Sequence, residues 1–316
     1  MKNRIIIVAA LLLSLVSCGP KGGKEVSTRT FPVPQVPAMV TDPAERMNYI
    51  ASHYWDKFLS TDELLPSDST MTAGVSDYDL EGAFSNYLGI LGEVTYPEAL
   101  ACEEKMLVKL EAYQRVDTAS SAWQKILGLA DKYLYDPNSP MRNEELFLPF
   151  AKAFAASEFS TLEQQHEYAF AAQMCSLNRI GAPVKDFEYI DRNGRRGTLY
   201  GVKAEYTLLF FSNPGCPACK EIIDKLMELP NLEEMVSGGT LAIVNIYIDR
   251  ELDEWRAYSS EYPSFWISGY DLNYIIREDV LYSIRAIPSL YLLDSGKRVL
   301  MKDAPEGNVL NFLSML

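Results

Sequence analysis

The sequence predicts two domains: an all-α N-terminal unit over 41–180 and an α/β unit over 181–316 that opens with a β-hairpin. Three observations predict this. Apolar residues recur at helical spacing from Asp42 to about 178, then switch to period two after Gly181-Ala182-Pro183, a helix stop followed by extended chain. Two runs, Tyr206 to Phe211 (YTLLFF) and Thr240 to Ile248 (TLAIVNIYI), are continuously apolar, the pattern of strands covered on both faces. The chain has 316 residues, enough for two cores.

Taken in order, Lys2 and Arg4 precede an apolar run from Ile5 to Val16. A bilayer span takes about 20 residues, so the run fits a signal-peptide core instead. It ends in Leu15-Val16-Ser17-Cys18, which matches the bacterial lipobox: the signal, 1–17, is cut away and Cys18 is lipidated. An ordinary signal peptide with an unmodified Cys18 is the alternative. Residues 18–40 are rich in Gly, Pro and Lys and read as a tether. Fully extended, they reach on the order of 70 Å from the membrane. Export places the chain where disulfides persist. No aspartate follows Cys18; by resemblance to lipoprotein sorting signals this implies a lipid-anchored, periplasm-facing protein of the outer membrane. Loss of Lys2 and Arg4 with the signal takes the net charge from −14 to −16. So negative a chain argues against nucleic acid or anionic lipid as partner.

The helical unit begins at Asp42-Pro43-Ala44-Glu45, a capping box with proline at the first helical position. Met47, Ile50, Ala51, Tyr54, Trp55 and Phe58 follow on one face. A second helix carries Leu80, Phe84, Tyr87, Leu88 and Leu91. A third starts at Thr95-Tyr96-Pro97-Glu98 and carries Ala99, Cys102, Met106, Leu110 and Tyr113. Others cover about 119–135, 142–156 and 161–178, and no 34-residue repeat emerges. Nothing here spells chemistry. Cys102 and Cys175 read as small buried hydrophobes, in preference to a structural disulfide or a third redox thiol. His53, among aromatics, reads as packed. Glu163 and His166 have the spacing of di-iron bundles, but those need a second copy and two further glutamates. No metal and no cofactor are expected.

In the α/β unit, residues 187–190 and 197–202 flank the turn Asp191-Arg192-Asn193-Gly194 as a hairpin. The strand Tyr206 to Phe211 follows, broken by Asn213-Pro214-Gly215. Ile222, Ile223, Leu226 and Met227 then recur at helical spacing up to Pro230, so Cys216 opens a helix with Cys219 one turn further in. Unpaired N–H groups and the dipole at a helix mouth favour thiolate over thiol. Lowering a thiol pKa from about 8.5 to about 7 makes roughly half of it thiolate at neutral pH. Pro217 falls where its missing N–H costs little. Cys216 is the expected attacking thiol and Cys219 the resolving one. Zinc would need about four ligands, and no second close pair exists; a bare structural disulfide is the other alternative. Further along, 240–248 is a strand, 250–259 and 274–283 are helical, 290–293 and 298–301 pair across Asp294-Ser295-Gly296-Lys297, and a helix spans about 306–315.

Residues 182–316 resemble the thioredoxin superfamily, most of all its exported branch of thioredoxin-like lipoproteins and cytochrome-maturation thioredoxins. Cys216-Pro217-Ala218-Cys219 after a strand carries the resemblance, with Ile287-Pro288 before the next hairpin and Tyr282-Ser283-Ile284-Arg285 just upstream. The layout with a lipobox, a helical domain and the stretch Pro137 to Leu146 (PNSPMRNEEL) resembles Bacteroidota lipoproteins whose N-terminal domain has no assigned function. The resemblance implies a cis Pro288 facing the cysteine pair. It also implies that Ile287 offers backbone hydrogen bonds to an extended client, with Pro217 beside it. Two departures stand out. Gly215 replaces the tryptophan that precedes the first cysteine in thioredoxins, and Phe210 replaces the buried aspartate that deprotonates the second. The exported branch often has a glutamate three residues after that cysteine; here that position is Ile222, and Glu221 is one residue short. Glu221 is therefore either a base or a solvent-facing residue. A peroxiredoxin pattern fails at Leu209 and Asn213. The implied activity is thiol–disulfide oxidoreduction, as a reductase of disulfide-containing envelope proteins fed by a membrane electron donor. A non-catalytic lipoprotein that uses the fold as scaffold for partner binding is the alternative.

Overall fold

The computed structural model describes residues 28–62 and 64–316. The signal peptide and Cys18 lie outside the described residues. Helix α1 (Pro43–His53) starts where Asp42 accepts the Glu45 N–H at 3.0 Å. The first unit is helical as expected, and it also carries a small antiparallel hairpin of strands β1 (Met71–Thr72) and β2 (Val75–Ser76). Ala73 and Gly74 turn it with φ of 48° and 73°, the left-handed pair that two-residue hairpin loops require. Helices α2 (Asp77–Leu91), α3 (Tyr96–Val116), α4 (Ala122–Ala130), α5 (Glu144–Ala156) and α6 (Leu162–Cys175) follow. The Thr95 and Glu98 side chains form a reciprocal capping box on α3. The segment expected as one helix over 119–135 divides into α4 and a π-helical turn, Asp131–Tyr135. Trp55, Phe84, Tyr87, Leu110, Trp123, Phe150 and Phe154 are fully buried at the centre of these helices.

Helix α6 ends three residues short of the expected 178, and Asn178, with φ of 45°, turns the chain into the second unit. There β3 (Glu188–Asp191) and β4 (Arg196–Thr198) form the leading hairpin. Then come β5 (Tyr206–Phe211), α7 (Pro217–Met227), α8 (Leu232–Ser237), β6 (Leu241–Tyr247), α9 (Leu252–Tyr258), β7 (Ile267–Asp271), α10 (Ile275–Glu278), β8 (Ser289–Leu293), β9 (Val299–Met301) and α11 (Glu306–Leu313). The seven-stranded sheet runs β4-β3-β7-β6-β5-β8-β9, with β5, β6 and β7 parallel and the other pairs antiparallel. Its two faces build separate cores. Leu209, Phe211, Val244, Ile246 and Tyr291 lie on one; Leu208, Phe210, Ile243 and Leu292 lie on the other, under α7 and α11.

Two expectations change here. The helix over 274–283 is a single turn, because Tyr274 and Val280 take left-handed φ of 57° and 50° at its two ends. Strand β7 was not expected. Its residues, Ile-Ser-Gly-Tyr-Asp, show no apolar run, and Gly269 is there because a Cβ would stand 2.7 Å from the Ile190 carbonyl oxygen.

Candidate active site

Strand β5 delivers the site. Its core-facing register holds Phe211 opposite Ser289 of β8 and Ile246 of β6. The chain leaves the sheet at the buried Ser212 and turns through Asn213-Pro214-Gly215. The Asn213 side-chain amide donates to Asp249 at 2.9 Å, and the Asn213 backbone carbonyl accepts the Cys216 N–H at 3.3 Å. Gly215 has φ of +67°, a conformation glycine adopts without a Cβ penalty. That accounts physically for glycine at a position where the resembling family has tryptophan.

Cys216 is the N-cap of α7, and its Sγ accepts the Cys219 N–H at 3.2 Å. A sulfur in the place of a capping oxygen satisfies one of the orphan donors of the first turn. Pro217 is the first helical residue. Cys216 is half-buried, Pro217 and Ala218 are exposed, and Cys219 is buried behind them at 1% exposure. Both cysteines are free thiols. Burial, and then the neighbouring Cys216 sulfur, push the Cys219 thiol upward. The pair thus divides into an accessible sulfur at the helix mouth and a protonated one held one turn in.

Glu221 lies on the exposed side of α7, while Ile222 at 5% exposure faces the core. Beneath the pair, on the sheet face shared with Phe210, lie three buried polar side chains that sequence reasoning passed over. The Ser212 hydroxyl donates to Asn245 Oδ1 at 2.5 Å and lies 3.4 Å from the Tyr262 hydroxyl. Burial pushes the Tyr262 hydroxyl upward, so the trio is neutral. The available signal was polarity in apolar surroundings: Asn245 interrupts TLAIVNIYI, and Ser212 ends the YTLLFF strand.

The Ile287–Pro288 peptide bond is cis. Because Ser289 pairs with Phe211, the segment ending at Pro288 and the turn leading to Cys216 emerge at the same end of the sheet. Ile287 and Cys216 both pack on the α7-side core. His53 is held by Asp56 at 2.6 Å against Tyr49, and Glu163 and His166 are exposed; the first lies on α1 and the other two on α6, all in the helical unit. Cys102 and Cys175 are buried free thiols. Among the described residues, no group of three or more His, Cys, Asp or Glu is placed to hold a metal ion, and no helix is long and apolar enough to cross a membrane.

A model of the family described as a domain of unknown function (DUF5106) matches residues 17–178, half of the chain. The chain belongs to the DUF5106 family. A thioredoxin-like protein of known crystal structure from Bacteroides caccae is similar to this DUF5106 protein over both units. It is 36% identical, with a TM-score of 0.77, over 91% of this chain and 99% of its own. Two further solved structures match the second unit of the DUF5106 protein. The C-terminal domain of an uncharacterized protein from Bacteroides fragilis is 44% identical over 43% of this chain and 98% of its own, with a TM-score of 0.42. The thioredoxin domain of a thiol-disulfide oxidoreductase from Bacteroides vulgatus is 24% identical over 42% and 97%, with a TM-score of 0.36. No curated protein matches the chain. The DUF5106 protein thus joins a helical unit to a thioredoxin-like α/β unit.

Proposed function

We propose that this DUF5106 protein is a lipid-anchored thiol–disulfide oxidoreductase of the cell envelope, held through Cys18 and facing the periplasm from the outer membrane. It works as a reductase. The Cys216 thiolate attacks one sulfur of a client disulfide, forming a mixed disulfide and releasing the client's other sulfur as thiolate. The Cys219 thiolate then attacks Cys216 Sγ. The client leaves with both cysteines reduced, and a Cys216–Cys219 disulfide remains. A membrane electron donor returns two electrons and restores the dithiol. Clients are disulfide-containing envelope proteins, aligned by the Ile287 backbone and by Pro217.

One observation carries this reading: the half-buried Cys216 sulfur sits at the N-cap of α7, 3.2 Å from the Cys219 amide, with the second thiol buried one turn behind it. A cysteine kept only for packing has no need of a helix mouth. Glu221 is exposed on α7 while Cys219 is buried, so resolution depends on ionising a buried thiol. The test is trapping. A Cys219→Ala variant expressed in cells accumulates mixed disulfides with envelope proteins, and Cys216→Ala accumulates none. If Cys219→Ala captures nothing, the oxidoreductase reading fails and a partner-binding scaffold takes its place.

A further inference from the structure

We propose that Glu144, at the start of α5 in the helical unit, is a positioning residue for the 283–289 segment. The helical unit thereby sets the loop that faces the client; the functional half of this statement rests on the oxidoreductase reading above. Glu144 is 2% exposed, and Asn143 before it fixes the helix start by accepting the Glu145 and Leu146 amides, each at 3.1 Å. Its Oε1 accepts the Ser283 hydroxyl at 2.8 Å and Arg285 Nε at 2.9 Å, and its Oε2 pairs with Lys302 Nζ at 2.7 Å. Arg285 uses a second nitrogen on Asp303 at 2.9 Å, and its guanidinium lies 4.5 Å from the centre of the Tyr135 ring. Asp303 in turn accepts the Ser289 hydroxyl at 2.8 Å. Arg142 closes the circuit by donating to the Asp303 and Ala304 carbonyls at 3.0 and 2.8 Å.

The partners bracket Ile287-Pro288. Ser283 and Arg285 lie on one side of it, bonded to Glu144 directly, and Ser289 lies on the other, reaching Glu144 through Asp303 and Arg285. Tyr291 adds a bond from its hydroxyl to the Ser283 carbonyl at 2.8 Å. A guanidinium fork held by two carboxylates and an aromatic face has one orientation available, so it transmits placement as well as attraction. Simple glue between units could sit anywhere along the seam. These contacts converge on the few residues that lead into β8 at the end of the sheet where the turn to Cys216 also emerges.

The test uses the full reduced chain, a peptide with one internal disulfide as client, and oxidised glutathione as a small disulfide that needs little alignment. In Glu144→Gln, KM for the peptide rises about tenfold, within the usual range of coupling between sites. Its kcat and the rate on oxidised glutathione change by less than about twofold. Amide hydrogen exchange across 284–290 quickens, while β5 and α7 exchange as in the native chain. Arg142→Ala, less buried, gives the same pattern more weakly and serves if Glu144→Gln does not fold. A folded variant whose 284–290 exchange is unchanged, or which loses thermal stability with KM intact, overturns the proposal. If the native chain reduces neither disulfide, the oxidoreductase reading falls, and hydrogen exchange alone still decides whether Glu144 positions the loop.

Discussion

Two buried glutamates, one inside the helical unit and one at the seam, show two ways of hiding a carboxyl group. Glu103 on α3 is fully buried, and neither of its oxygens has a hydrogen-bond partner among the described residues. Burial, and then the charge of Glu104, hold its carboxyl well above the ordinary range. Glu144 is as deeply placed, but Ser283, Arg285 and Lys302 surround it. The first acid is tolerated by staying neutral, the second by being paired. The difference teaches that a buried pair stabilises little against an apolar substitute, whereas removing one member leaves an uncompensated charge.

The largest effect should come from breaking the seam. Glu144→Ala leaves Arg285 with Asp303 as its one carboxylate and Lys302 with carbonyls alone, and is expected to cost about 3–5 kcal/mol in chemical denaturation. A loss below about 1 kcal/mol would mean that the seam is wet and the comparison wrong. A smaller effect of opposite sign should come from the helical core. The folded-state pKa of Glu103 lies above its unfolded value, so its contribution is complete below the ordinary carboxylate range and is lost as pH rises through the folded value. At neutral pH the burial is a net cost. Glu103→Gln is therefore expected to raise stability by about 1–3 kcal/mol at pH 7. Melting curves across pH should show the gain shrinking towards pH 4; a constant gain would remove ionisation as the cause. The smallest effect is local. Thr95→Ala frays the start of α3, which carries Tyr96 onto Glu145 at 2.6 Å and, further along, Glu103. About 1 kcal/mol is expected, read by thermal melting.

The same contrast explains what could be read from the residues alone. The cysteine site is local: a strand, a turn and a helix start lie within about a dozen residues, and each has its own signature, from YTLLFF to Pro217. The helical faces, such as Met47 to Phe58, follow one period. Strand β7 is defined by its neighbours β3 and β6 instead of by its own pattern, so it stayed hidden. The hairpin β1–β2 is too short to show periodicity. Ser212, Asn245 and Tyr262 meet only through the fold. Arg142, Glu144 and Glu145 look like ordinary charges before and within a first helical turn. Nothing in their spacing marks the Ser283 and Arg285 that meet Glu144, which stand 139 and 141 positions further along the chain.

That separation bears on assembly. Lys302 donates to the Cys175 and Leu177 carbonyls at 2.8 and 2.6 Å, closing the end of α6 from the far side of the molecule. A nascent chain emerging N-terminus first would have all six helices of its first unit, α1 to α6, wound before these latecomers exist. The open tail of α6 and the buried Glu144 of α5 would then wait for almost the whole polypeptide, and residues 283–303 would latch the first half shut.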